Sequence, residues 1–140
     1  MRKKFYLDTC IWRDYFEDRK DNLKPLGEFA FQFLKKCEKN NWKVLYSEFV
    51  VKELKKDYSE ERIKEIFSSF QNLLVKVHIS IEQIIESEKL KSKIKESHES
   101  DILHAIISRD NNAVLISRDR HFDYLKDFVE VKIPEEIIFD

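Results

Sequence analysis

The run Phe5-Tyr6-Leu7-Asp8-Thr9-Cys10-Ile11-Trp12-Arg13-Asp14-Tyr15-Phe16 holds the first unit of the architecture. Three apolar residues stop at an acid and a hydroxyl, and Ile11, Trp12, Tyr15 and Phe16 then recur at helical spacing, which reads as strand, turn, helix. Outward from it, Leu26, Phe29, Ala30, Phe33 and Leu34 mark a second amphipathic helix beyond the polar stretch 18–25. Val44-Leu45-Tyr46 is a second strand, and Ser47 is placed to cap a helix running to Asp57. Residues 60–73 keep helical spacing through Ile63, Ile66, Phe67 and Phe70, followed by a third strand at Val75-Lys76-Val77 and a helix from Ile81 to Lys95. A largely apolar helix at Asp101 to Arg109, a strand at Val114-Leu115-Ile116, a short helix at Arg120 to Lys126 and a last strand at Val129 to Ile133 complete the chain. Strands alternating with helices predict an α/β fold: a mostly parallel sheet of about five strands with helices on both faces.

The 140 residues and the 42% apolar share suit one domain spanning 1–140. Charged residues make up 38% and glycine occurs once, which favours long helices with Lys/Glu faces and short connections. A formal net charge of −1 lacks the basic excess that draws nucleic acid through counterion release, so any nucleic-acid site has to be local. Cys10 and Cys37 are far apart with no C-x-x-C spacing, there is no secretory signal, and no apolar run approaches bilayer length. A reducing cytoplasm and no membrane partner are expected.

Four carboxylates stand out. In parallel sheets ligands gather outside the carboxyl ends of the strands. Asp8 closes the first strand, Asp119 follows the fourth by a two-residue turn, and Asp101 opens the helix that precedes it. Glu53 lies four, three and one positions from Phe49, Val50 and Leu54 on the apolar stripe of its helix, whereas Glu48 falls on the solvent face with Lys52 and Lys55. Each acid has a plain alternative: Asp8, Asp101 and Asp119 stand where Asp caps helices, and Glu53 is placed to pair with a basic side chain. Convergence of all four at one edge would require a divalent cation to offset their repulsion, and oxygen ligands suit Mg2+ or Mn2+ acting on phosphates. His98, Asp101 and His104 do not form an H-E-x-x-H pattern, so zinc is not expected.

Four segments together resemble the PIN domain family, and within it the VapC-type toxin ribonucleases. They are Phe5-Tyr6-Leu7-Asp8-Thr9-Cys10, Ser47-Glu48-Phe49-Val50-Val51-Lys52-Glu53-Leu54, Asp101-Ile102-Leu103-His104-Ala105 and Ile116-Ser117-Arg118-Asp119-Arg120-His121-Phe122. The resemblance implies a three-layer α/β/α sandwich and a Mg2+- or Mn2+-dependent endoribonuclease that leaves a 5′-phosphate and a 3′-hydroxyl. It also implies an antitoxin protein as partner, and a homodimer. The alternatives are an RNA-processing nuclease without an antitoxin and a non-catalytic module for protein or RNA contacts. An aspartyl-phosphate mechanism is disfavoured, because Asp8-Thr9-Cys10 does not begin a D-x-D-x-T motif, and no acidic pair precedes it.

On this reading Asp8 and Asp101 are direct metal ligands, Asp119 a second-site or water-bridged ligand, and Glu53 a ligand or water-orienting group. Thr9 and Ser117 either hold a carboxylate through their hydroxyls or cap turns. Arg13, Lys52, Arg118, Arg120 and His121 are the candidates for contacting RNA phosphates, against the alternative of a solvated surface. Trp12 and Tyr15 share helical spacing with Ile11 and Phe16, which favours the core over base stacking. The family pattern has Asn where this chain has Cys10, and Cys10 is expected to fill a small apolar space.

Overall fold

The computed structural model describes residues 3–140. Five strands, β1 (Lys4–Leu7), β2 (Lys43–Ser47), β3 (Leu74–Val77), β4 (Val114–Ile116) and β5 (Val131–Lys132), form one sheet in the order β3-β2-β1-β4-β5, every pair parallel. Seven α-helices connect or follow them: α1 (Thr9–Glu17), α2 (Leu26–Lys39), α3 (Glu48–Leu54), α4 (Glu60–Ser69), α5 (Ile81–Lys93), α6 (Glu99–Asp110) and α7 (Pro134–Ile138). A 3-10 helix spans Arg120–Leu125. This is the expected α/β sandwich, with α1, α2 and α7 packed together and α5 and α6 packed together with the 3-10 helix.

Central strands of a covered parallel sheet are buried on both faces and read as continuous apolar runs. Phe5, Tyr6 and Leu7 of β1 are fully buried, as are Leu115 and Ile116 of β4. Trp12, Ile11 and Phe16 pack into the same core, and Tyr15 is half-buried against Phe31 and Phe70, so this aromatic set is structural. The chain's one glycine, Gly27, sits where α2 passes the end of α1: a Cβ there would lie 2.5 Å from Asp18 Cα and 2.8 Å from the Asp14 carbonyl oxygen.

Three expected boundaries are corrected, and one helix is added. The last strand is confined to Val131–Lys132 rather than 129–133, and the chain then turns at Pro134 into α7, which no sequence expectation included. Pro134 at the first helical position, with Glu135 and Glu136 in the first turn, is a regular start signal, and the helix forms because it can pack on α2. The helices expected to reach Asp57 and residue 73 stop at Leu54 and Ser69.

Because β2 and β3 lie on one side of β1 and β4 and β5 on the other, strand order reverses between β1 and β4. A crevice at the carboxyl ends of those two strands is where such sheets place ligands.

Candidate metal centre

Asp8 directly follows β1, Asp119 follows β4 by two residues, and Asp101 is the third residue of α6. The structure therefore sets these three at the reversal point, with Glu53 approaching from α3. Among the described residues, one oxygen each from Asp101 and Asp119 and one nitrogen of His121 lie within 4.8 Å of one another. His121 Nδ1 is 3.0 Å from Asp119 Oδ1 and 3.6 Å from Asp101 Oδ2.

Capping accounts for two of these acids. Asp8 Oδ1 accepts from the Thr9 amide at 2.8 Å, and Asp119 Oδ1 accepts from the His121 amide at 2.9 Å. Asp101 differs from both: it is 7% exposed, caps nothing, and its buried Oδ2 has no hydrogen-bond partner. Burial, then the charges of Asp119 and Asp8, push its carboxyl up to about 6, with His104 and His121 opposing. An ionised carboxylate held this way costs free energy unless a cation neutralises it. An orphaned, buried carboxylate oxygen facing a second acid is the donor set a hard divalent cation requires, so these residues fit a Mg2+ or Mn2+ ion.

Glu53 belongs to a different arrangement. Its Oε1 accepts from Thr9 Oγ1 at 2.6 Å and from His104 Nε2 at 2.7 Å. His104 Nδ1 lies 2.8 Å from the Tyr6 hydroxyl, which lies 2.8 Å from Ser47 Oγ, and Ser47 caps α3 through the Val50 amide. This chain of bonds is buried and crosses from α6 through β1 to α3. Burial alone would raise the Glu53 carboxyl, but the hydrogen bond and charge of His104, then Thr9 and Arg13, outweigh it and hold Glu53 below its ordinary value. Burial likewise opposes an imidazolium at His104, but the Glu53 hydrogen bond and the charges of Asp8, Glu53 and Asp101 raise it above its ordinary value. Glu48, by contrast, is solvent-facing and paired with Lys76.

Asp8 joins the two halves. Its Oδ2 accepts from Ser117 Oγ at 2.9 Å and lies 3.1 Å from Cys10 Sγ, while Ser117 Oγ also accepts from the Asp119 amide at 3.0 Å. One hydroxyl thus fixes the spacing between the ends of β1 and β4. Cys10 packs against the core as expected and is in addition a weak donor to the first acid; burial together with Asp8 keeps its thiol well above the ordinary value.

The basic candidates divide as well. Arg118 is largely buried in an ion pair with Glu135, near Asp14, and Arg13 binds the Glu53 carbonyl and Asp57, so both have structural partners. Lys52 and Arg120 are exposed, and the His121 side chain is 44% exposed.

His104 and Tyr6 were not among the residues expected at the site. A signal for His104 existed: it is the one basic residue between Ile102, Leu103, Ala105, Ile106 and Ile107, a segment too apolar to leave a ring nitrogen unpaired. Tyr6 carries no such signal, because in sequence it is one more residue of an apolar strand.

Comparison with known proteins yields a fold and no family. No family model matches the chain, and no curated protein matches it. The crystal structure of VapBC2 from Rickettsia felis bound to a DNA fragment from their promoter aligns with a TM-score of 0.69 at 17% identity, over 93% of this chain and 98% of that one. FitAcB from Neisseria gonorrhoeae aligns with a TM-score of 0.62 at 16% identity, over 93% and 97%. The assignment to VapC-type toxins read from the sequence is therefore corrected: no family model supports it, and likeness at this identity selects neither a toxin family nor one component of a complex. No helix of the described residues is long and apolar enough to cross a membrane.

Proposed function

We propose that the chain is a divalent-metal-dependent endoribonuclease that hydrolyses RNA phosphodiester bonds at the acid cluster. The observation that carries this reading is Asp101, a buried carboxylate with an orphaned oxygen beside Asp119 and no structural task of its own. Asp101 and Asp119 would hold the ion, with Asp8 placed between them and Glu53. When bound, Mg2+ or Mn2+ supplies charge neutralisation and a lowered pKa for an attacking water.

The protein's own groups do the rest. Ser117 and Thr9 hold Asp8 and Glu53 in fixed rotamers, so the acids need little reordering as a phosphate approaches. His104 occupies Glu53 Oε1 together with Thr9, which leaves Oε2 as the oxygen free to accept a proton or orient a water. Exposed Arg120 and Lys52 supply local positive charge for phosphates on a chain whose net charge is −1. Similarity in fold to two toxin–antitoxin complexes supports a toxin–antitoxin setting with a protein partner.

A cleavage assay on RNA tests the reading. Cutting should depend on added Mg2+ or Mn2+, stop in EDTA, and fail in Asp8→Asn and Asp101→Asn with the circular-dichroism spectrum retained. Equal cutting in EDTA, or full activity in both variants, would sink it.

A further inference from the structure

We infer that His121 is a nitrogen ligand completing a three-residue centre with Asp101 and Asp119, and that this centre selects a first-row transition dication such as Mn2+ over Mg2+. The inference rests on the metal-dependent reading above and deepens it by naming a ligand and a cation class.

The geometry comes first. One ligand atom each from Asp101, Asp119 and His121 lies within 4.8 Å of the other two, close enough for three donors to share one ion at bond lengths of about 2 to 2.4 Å. The atoms that face one another are unspent. Asp101 Oδ2 is buried with no hydrogen-bond partner, and His121 Nδ1 is equally buried and unpartnered although the side chain as a whole is 44% exposed. Nδ1 approaches Asp119 Oδ1 to 3.0 Å without a hydrogen bond between them, and that oxygen accepts from the His121 amide. Two unsatisfied buried atoms 3.6 Å apart, each able to offer a lone pair when Nδ1 carries no proton, leave a place for a cation between them.

His121 is also held in place. Ser97 Oγ, buried ahead of α6, donates to the His121 carbonyl at 2.8 Å. The His98 ring meets the His121 ring edge-on at a centroid distance of 4.6 Å. Ser97 and His98 directly precede the helix that carries Asp101, so one short segment fixes the positions of both donors. Carboxylates alone suit Mg2+, which binds oxygen and keeps its waters. An imidazole nitrogen shifts the preference toward transition dications.

Calorimetry and pulsed EPR on the whole chain test this, with Mn2+ and Mg2+ as probes. The bound Mn2+ signal should carry nitrogen-14 modulation, and Mn2+ should bind about tenfold or more tightly than Mg2+. In His121→Gln the modulation should vanish and Mn2+ should weaken about tenfold, with Mg2+ changed less than about threefold. His121→Asn should behave alike, and His98→Gln should keep the modulation. Mn2+ that binds with dependence on Asp101 and Asp119 but shows no nitrogen coupling, or retains it in His121→Gln, overturns the ligand and leaves the metal reading standing. Mn2+ that does not bind, or binds equally to Asp101→Asn, overturns both.

Discussion

The two halves of the acid cluster solve the same problem in opposite ways. Around Glu53 the negative charge is answered within the protein: His104, Thr9, Tyr6 and Ser47 form a continuous hydrogen-bonded chain, and the carboxyl is held below its ordinary value. Around Asp101 it is not, and the carboxyl is pushed up to about 6 with an oxygen left bare. The fold satisfies a buried acid thoroughly at one end of the site and leaves another unsatisfied about one helical turn along α6 from His104, and on the function proposed above the second is where the cation would bind.

The sharpest way to break the contrast is to remove the answer on the satisfied side. His104→Ala leaves Glu53 and the Tyr6 hydroxyl without their buried partner and should cost about 3 kcal/mol of stability, read by urea unfolding. A cost under about 1 kcal/mol would show that the network is not a stabilising unit. The effect has a pH window. Glu53, lowered in the folded state, contributes stability above its unfolded value of about 4.3 that is lost as pH falls through its folded value. His104, raised in the folded state, contributes stability below its unfolded value of about 6.5 that is lost as pH rises through its folded value. The cost of a His104→Gln substitution should therefore peak between about pH 4.3 and 6.5.

On the unsatisfied side the same measurement should change sign. Asp101→Asn removes a charge the fold does not pair, and the metal-free variant should be more stable than the native chain at pH 7 by about 1–2 kcal/mol. Because the folded carboxyl titrates at about 6 and the unfolded one at about 4, the native chain takes up protons on folding between those values and gains stability as pH falls through them. The advantage of Asp101→Asn should thus shrink as pH falls from 6 and vanish below about 4. Loss of stability in Asp101→Asn at pH 7 would show that Asp101 has a structural partner after all.

Smaller effects calibrate the boundary. Cys10→Ala deletes one weak bond to Asp8 and should cost about 1 kcal/mol or less while leaving RNA cleavage within about threefold, which a cleavage time course would check. Glu48→Gln, on the solvent face of α3, should change stability by under about 0.5 kcal/mol.

How far these features were legible in the sequence follows the same division. The alternation of elements and the placement of Asp8 and Asp119 depend on local pattern: a strand that ends at an acid is visible as such. The inward face of Glu53 is likewise written into the spacing of Phe49, Val50 and Leu54. The partners of Glu53 were not legible, because His104 lies 51 positions away and meets it only when the fold brings α6 against α3. The bond from Cys10 to Asp8 was equally hidden: two residues apart in sequence says nothing of whether a thiol turns back over the cap or inward to the core. The α7 helix was lost for a simpler reason, since extending the last strand across Val129 to Ile133 concealed the start signal at Pro134.

Mn2+ soaked into crystals and located by anomalous scattering tests the central claim most directly. A peak within bonding distance of both Asp101 and Asp119 is the predicted result. A well-diffracting crystal with no peak there, or with Mn2+ bound at Glu53 alone, would contradict it.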